Sequence, residues 1–150
     1  MTGDELPDAD HVVRNVRGTS VFEDGTVNGS EFRLRPNRPD DLGVSVNWLE
    51  HFEGLDKDAQ LAEIQRLRRM TVRKSWRMAE LNVGATKAHL RERLPEISIH
   101  HAPIEATDAY EADDSHSEIG GLPAGDSEEA ELIGDMIAQC IIELHPAIVE

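Results

Sequence analysis

The chain is short of the features that usually announce a chemistry. Its 150 residues include one cysteine, so it can form neither an internal disulfide framework nor a cysteine-ligated zinc site. Aromatic residues are only 4% of the total, which leaves an aliphatic core. No segment approaches the roughly 18 uninterrupted apolar residues of a membrane helix. The longest apolar pattern, Leu132 to Leu144, is broken by Gly134, Asp135, Gln139 and Glu143. The opening MTGDELPDADH has no basic region and no apolar stretch, so it does not read as a secretion signal, and a cytoplasmic, non-membrane protein is expected. No glycine-rich phosphate loop, Gly-x-Ser-x-Gly elbow, His-Glu-x-x-His pair or calcium-loop pattern occurs. No cofactor is therefore expected.

Positive charge is missing from the last third. All fifteen Lys and Arg fall between Arg14 and Arg93; residues 1–93 hold sixteen acids, whereas residues 94–150 hold fourteen acids and no Lys or Arg. The net charge of −15 thus resides almost wholly in the C-terminal third. Such a field repels phosphate polymers and argues against a general nucleic-acid coat. It would steer a basic protein toward the molecule.

What is present reads as α+β: a small, mostly antiparallel sheet of four or five strands with two or three helices. Residues 1–10, acidic with Pro7, read as a flexible N-terminus, and 11–150 as a single domain. His11–Val16 is short and β-branched, a first strand. Glu23-Asp24-Gly25 and Asn28-Gly29 signal turns. Glu31–Arg35 alternates, with Phe32 and Leu34 on one face and Arg33 and Arg35 on the other, which predicts a second strand; Val44–Trp48 alternates as a third. Between them 36–43 reads as a loop. From Asp56 the period becomes helical through Leu61, Ile64 and Leu67, with an acidic start and Arg66, Arg68 and Arg69 at the far end, where the dipole favours cations. A strand at 77–83, a helix at 86–94 stopped by Pro95, and a strand at 97–100 follow.

Residues 102–125 form a long acidic loop broken by a short segment at 115–119; 24 residues is long for a structureless connection and points to partial order. Asp126 and Glu129 match a capping box that opens a C-terminal amphipathic helix, whose stripe runs Ile133, Ile137, Cys140, Ile141, Leu144 and ends at His145-Pro146. Cys140 on that stripe reads as a small buried hydrophobe. The pattern Asp24-Gly25, Phe32, Val44-Ser-Val46 and a late Ser115-His116 resembles small bacterial proteins and carries no function with it.

Three constellations carry candidate chemistry. Seven histidines include His100, His101 and His116 with Asp113 and Asp114 nearby, a mixed nitrogen and oxygen donor set. Adjacent residues on a strand point to opposite faces, so that set does not amount to a metal site. Second, His11 and Arg14 on the first strand, Ser45 and Asn47 on the third, and His116 from the loop can converge at strand ends. Arg14 would clamp an anion, His11 or His116 would move protons, and Ser45 and Asn47 would orient a ligand. Third, the basic run Arg66, Arg68, Arg69, Arg73, Lys74 and Arg77 surrounds Trp76, an arrangement that can stack a base while cations hold phosphate. In a chain with two tryptophans, though, Trp76 is expected in the core.

The charge asymmetry favours a non-catalytic binding or regulatory protein that engages a basic partner protein through Asp113, Asp114, Glu118, Asp126, Glu128 and Glu129. The alternative is a small hydrolase or transferase acting on a phosphorylated or nucleotide-like ligand through Arg14 and His11 or His116.

Overall fold

The computed structural model describes residues 3–35, 43–67 and 73–147. Arg68 and Arg69 of the basic run, and most of the expected loop at 36–43, lie outside the described residues. The elements in chain order are β1 (His11–Val16), β2 (Gly43–Trp48), α1 (Lys57–Arg66), β3 (Arg77–Asn82), α2 (Val83–Leu90), β4 (Ser98–His101), β5 (His116–Gly120), α3 (Glu128–Ala138) and β6 (Glu143–Pro146). The architecture is α+β, with an antiparallel sheet of six strands rather than four or five, ordered β4-β5-β2-β1-β3-β6. Among the described residues no helix is long and apolar enough to cross a membrane.

The strand period sorts side chains onto two faces. Val12, Val16, Val44, Val46, Ala79, Leu81, Ile99 and Ile119 bury against α2 and α3 through Val83, Leu90, Ile133 and Ile137. On the other face Val13 and Met78 form a smaller core with Leu49 and with Leu61 and Ile64 of α1. Asp56 caps α1, accepting the Ala59 N–H at 2.9 Å.

Several expectations from sequence are corrected. Glu31–Arg35 is not a strand: Gly29–Phe32 forms a 3-10 turn opened by Asn28, whose Oδ1 accepts the Ser30 N–H. Alternation correctly buries Phe32, but Glu31 also turns inward, 6% exposed, and accepts the Arg17 N–H at 2.8 Å. Helix α2 starts at Val83 instead of 86, because Asn82 caps it through the Ala85 N–H at 2.8 Å. The cap of α3 is Ser127, not Asp126; its Oγ accepts the Ala130 N–H.

The apolar stripe beyond α3 does not continue the helix. Helix hydrogen bonding ends at Gln139, the Ile142 N–H reaches Glu80 O, and Leu144 and His145 pair with Ala79 and Met78 as β6. Cys140, Ile141 and Leu144 still pack on the same core, so spacing alone could not separate helix from turn and strand. The N-terminus, read as flexible, is tied down from Gly3: Gly3 N–H donates to His101 O, Leu6 N–H to Ile99 O, and Leu6 is 3% exposed. This segment covers the outer edge of β4, which would otherwise present unpaired backbone groups.

Candidate functional site

β1 pairs with β3 along all six residues, but its register with β2 is confined to Val12–Trp48 and Val13–Asn47. Beyond Val13 the two strands part. Arg14 fills the opening: its Nε donates to Glu31 O at 2.5 Å and its Nη1 to Ser45 O at 2.7 Å. The guanidinium thus supplies hydrogen bonds to two carbonyls where the ladder stops, which satisfies acceptors that would otherwise lack a partner.

A cleft of about 450 Å3 opens at this parting. Arg14, Ser45, Asn47 and His116 all line it, so four of the five residues expected to form a ligand pocket do come together. Consecutive residues Arg14 and Asn15, and Val44 and Ser45, line it together, because the separated strands give access to side chains of both faces. His11 is the exception. It sits at the opposite end of β1, where its Nδ1 lies 2.6 Å from Glu50 Oε2 and its N–H donates to Glu50 Oε1. Three residues of extended strand, about 10 Å, separate it from Arg14, and its imidazole is engaged by Glu50 instead of lining the cleft.

Asn47, Asp113 and Ser115 form a hydrogen-bonded knot beside the cleft. Asn47 Nδ2 donates to both Asp113 oxygens (3.2 and 3.0 Å) and to Ser115 Oγ, which donates to Asp113 Oδ1 at 2.9 Å. Asp113 is 7% exposed, so it is a wall of the cleft and not part of a protein-docking surface. His116 Nδ1 lies 2.6 Å from Ala102 O. A carbonyl only accepts, so Nδ1 carries the hydrogen, and in the neutral ring Nε2 is the acceptor nitrogen.

Three arginines that sequence reading did not place here, Arg17, Arg33 and Arg35, also line the cleft. Reading Glu31–Arg35 as a strand put Arg33 and Arg35 on a solvent face; the 3-10 turn redirects the chain instead. The available signal was proximity: Arg14, Arg17, Arg33 and Arg35 lie within 22 residues around two turn motifs. Against them stand two carboxylates, Glu31 and Asp113. A locally cationic cleft therefore exists in a chain of net charge −15. No protein-family model, curated protein or solved structure matches this chain.

The other expected groupings disperse. His100 sits between Ser98 Oγ and Glu118, His101 meets Trp48 edge to face and lies against Asp114 O, and His116 holds Ala102 O, so the three imidazoles have separate partners. The acidic residues expected to dock a partner also divide. Asp126, Glu128 and Glu129 open α3 on one face of the sheet, and Glu118 lies on the other beside His100. Asp114 is exposed. Of the basic run, Arg66 is bonded to Glu63 and Glu111, and Arg77 Nη1 donates to the carbonyls of Lys74 and Trp76.

A second polar centre went unnoticed in the sequence. Glu80, fully buried, accepts from Lys57 Nζ at 3.0 and 3.1 Å and lies 2.7 Å from His145 Nε2; His145 Nδ1 faces Glu143 at 3.3 Å. Glu80, Glu143 and His145 are the one set of three metal-capable side chains among the described residues, and the Lys57 ammonium already neutralises Glu80. The signal was a lone acid in the apolar strand Met78-Ala-Glu-Leu81.

Burial alone would push the Glu80 carboxyl up, but hydrogen bonds from His145 and Lys57, with the charge of Lys57, hold it below the ordinary glutamate range. A carboxyl depressed in the folded state stabilises above its unfolded value and loses that contribution as pH falls through the folded one. Thermal stability should therefore drop on the acid side of the ordinary glutamate range, and less steeply in Glu80→Gln. Equal slopes in melting scans from pH 6 to 3 would refute this.

Proposed function

We propose that this chain binds a phosphorylated small molecule in the arginine-lined cleft. The convergence of Arg14, Ser45, Asn47 and His116 from three strands carries the reading, and Arg17, Arg33 and Arg35 add cationic walls. A cleft of about 450 Å3 lies in the size range of small-molecule sites, roughly 300–1,000 Å3. Guanidinium forks match the oxygens of a phosphate better than ammonium groups do. If the chain is a hydrolase or transferase, His116 Nε2 is the group that moves a proton, with Nδ1 tethered to Ala102 O.

Inorganic phosphate and pyrophosphate are the first probes. Each should raise the melting temperature progressively with concentration, since a ligand that binds only the folded state stabilises it by mass action. Arg33→Ala/Arg35→Ala should weaken pyrophosphate binding at least tenfold. No thermal response to either anion up to millimolar concentration would remove the reading.

A second reading keeps the C-terminal acids as a docking face for a basic protein. Asp126, Glu128 and Glu131 are exposed, and among the described residues no cation pairs with them. Binding of a lysine-rich peptide should then fall steeply with salt and disappear in Glu128→Lys/Glu131→Lys. Retention by that variant would exclude this face.

A further inference from the structure

The two tryptophans are used differently. Trp48 packs on the main core and donates its indole N–H to Asp10 at 2.9 Å. Trp76, at the entrance to β3, belongs to neither core cluster and is only half-buried, which overturns its expected place in the core. Among the described residues it has no ring partner. It lines the arginine cleft, as do Leu34, Leu67 and Ile104.

A large aromatic surface left in a wet cleft forgoes the burial that favours such residues in cores. The cleft therefore joins two surfaces of opposite character: an aromatic and aliphatic one, and one rich in guanidinium groups. Asp113 adds hydrogen-bond capacity at the wall. Its neighbours in the knot are neutral and occupy three of a carboxylate's about four lone-pair sites, so it can accept one further N–H from a ligand.

We infer that the ligand is a nucleoside monophosphate, its base stacked on Trp76 and its phosphate held by the arginines. This rests on the proposed anion-binding reading and adds to it the part of the ligand that phosphate alone does not supply. A flat ring with N–H donors suits Trp76 and Asp113, and a base–aromatic stack is tolerant of base identity. A free mononucleotide fits better than a nucleic-acid strand. A cleft of about 450 Å3 has the volume of a small-molecule site, and a net charge of −15 repels a polyanion at long range much more than a single phosphate group.

The test is a fluorescence and thermal-shift titration of the full chain with inorganic phosphate, guanosine, adenosine and guanosine monophosphates, and a short single-stranded oligonucleotide. Both monophosphates should bind at least tenfold more tightly than inorganic phosphate and quench the indole emission. Trp76→Leu should bring their affinity down to that of phosphate while leaving phosphate binding unchanged; Trp76→Phe should restore part of the difference. Monophosphates no tighter than phosphate, or unaffected by Trp76→Leu, would overturn the inference and leave the anion site standing. An oligonucleotide that binds more tightly than either monophosphate would overturn the choice of a free nucleotide. Binding of neither phosphate nor monophosphates would overturn the site and the inference together.

Discussion

Glu80→Ala is expected to destabilise the fold by about 3 kcal/mol, at the lower end of the effect of breaking a buried ion pair. Glu80 is the carboxylate that both Lys57 and His145 share. The two partners are unequally exposed: the Lys57 side chain is 48% exposed and can return to water, whereas His145 is 8% exposed and cannot. Most of the loss therefore comes from stranding the imidazole between β3 and β6 and from the space left under α1. Urea unfolding of the wild type, Glu80→Ala, His145→Ala and the double variant would measure it. The pair should couple by about 1 kcal/mol or more, because each single change removes the same contact. Strict additivity in that cycle would mean the buried contact contributes nothing.

Gly134→Ala should destabilise by about 2 kcal/mol, the reverse of what helix propensity alone implies. Gly134 lies inside α3, where replacing glycine with alanine ordinarily stabilises by about 1 kcal/mol. Here a Cβ would stand 2.4 Å from Gly29 O and 3.1 Å from the Arg33 side chain. The first contact is backbone and cannot rotate away. Helix α3 would have to retreat from the 3-10 turn that carries Glu31 and Arg33 to the cleft, so pyrophosphate binding should weaken as well. Chemical denaturation with a parallel binding titration tests both effects. A stabilised variant would show that helix and turn have room to separate without cost.

The fold was legible where local pattern and tertiary need agree. β1 and β2 have the β-branched or alternating composition of half-buried strands, and α1 has both its Asp56 cap and its apolar stripe. Pattern failed where a non-local partner redirected the chain. Glu31 turns inward because the Arg17 backbone and side chain are there to receive it. Residues 143–146 leave the helical stripe because the edge of β3 offers a ladder and Glu80 offers His145 a buried carboxylate. Neither partner is close in sequence, so no window of residues could reveal it.

The candidate site shows the same division. Arg14, Ser45, Asn47 and His116 were identifiable as polar residues on strands that one sheet could bring together. Their grouping without His11 depended on tertiary partners: both lie on β1, but the His11 imidazole meets Glu50 whereas Arg14 reaches Glu31 O and Ser45 O across the gap.

Residue order alone determined the charge segregation, the aliphatic core and the α+β class, because these follow from composition and from periods of two and about 3.6 residues. Tertiary structure alone decided that β1 and β2 part after Val13, that Arg14 occupies the gap, and that Trp76 faces a cleft. Those outcomes depend on which strands become neighbours and where their hydrogen bonding stops. That is a competition among distant segments for the same backbone partners, and no single segment carries its result.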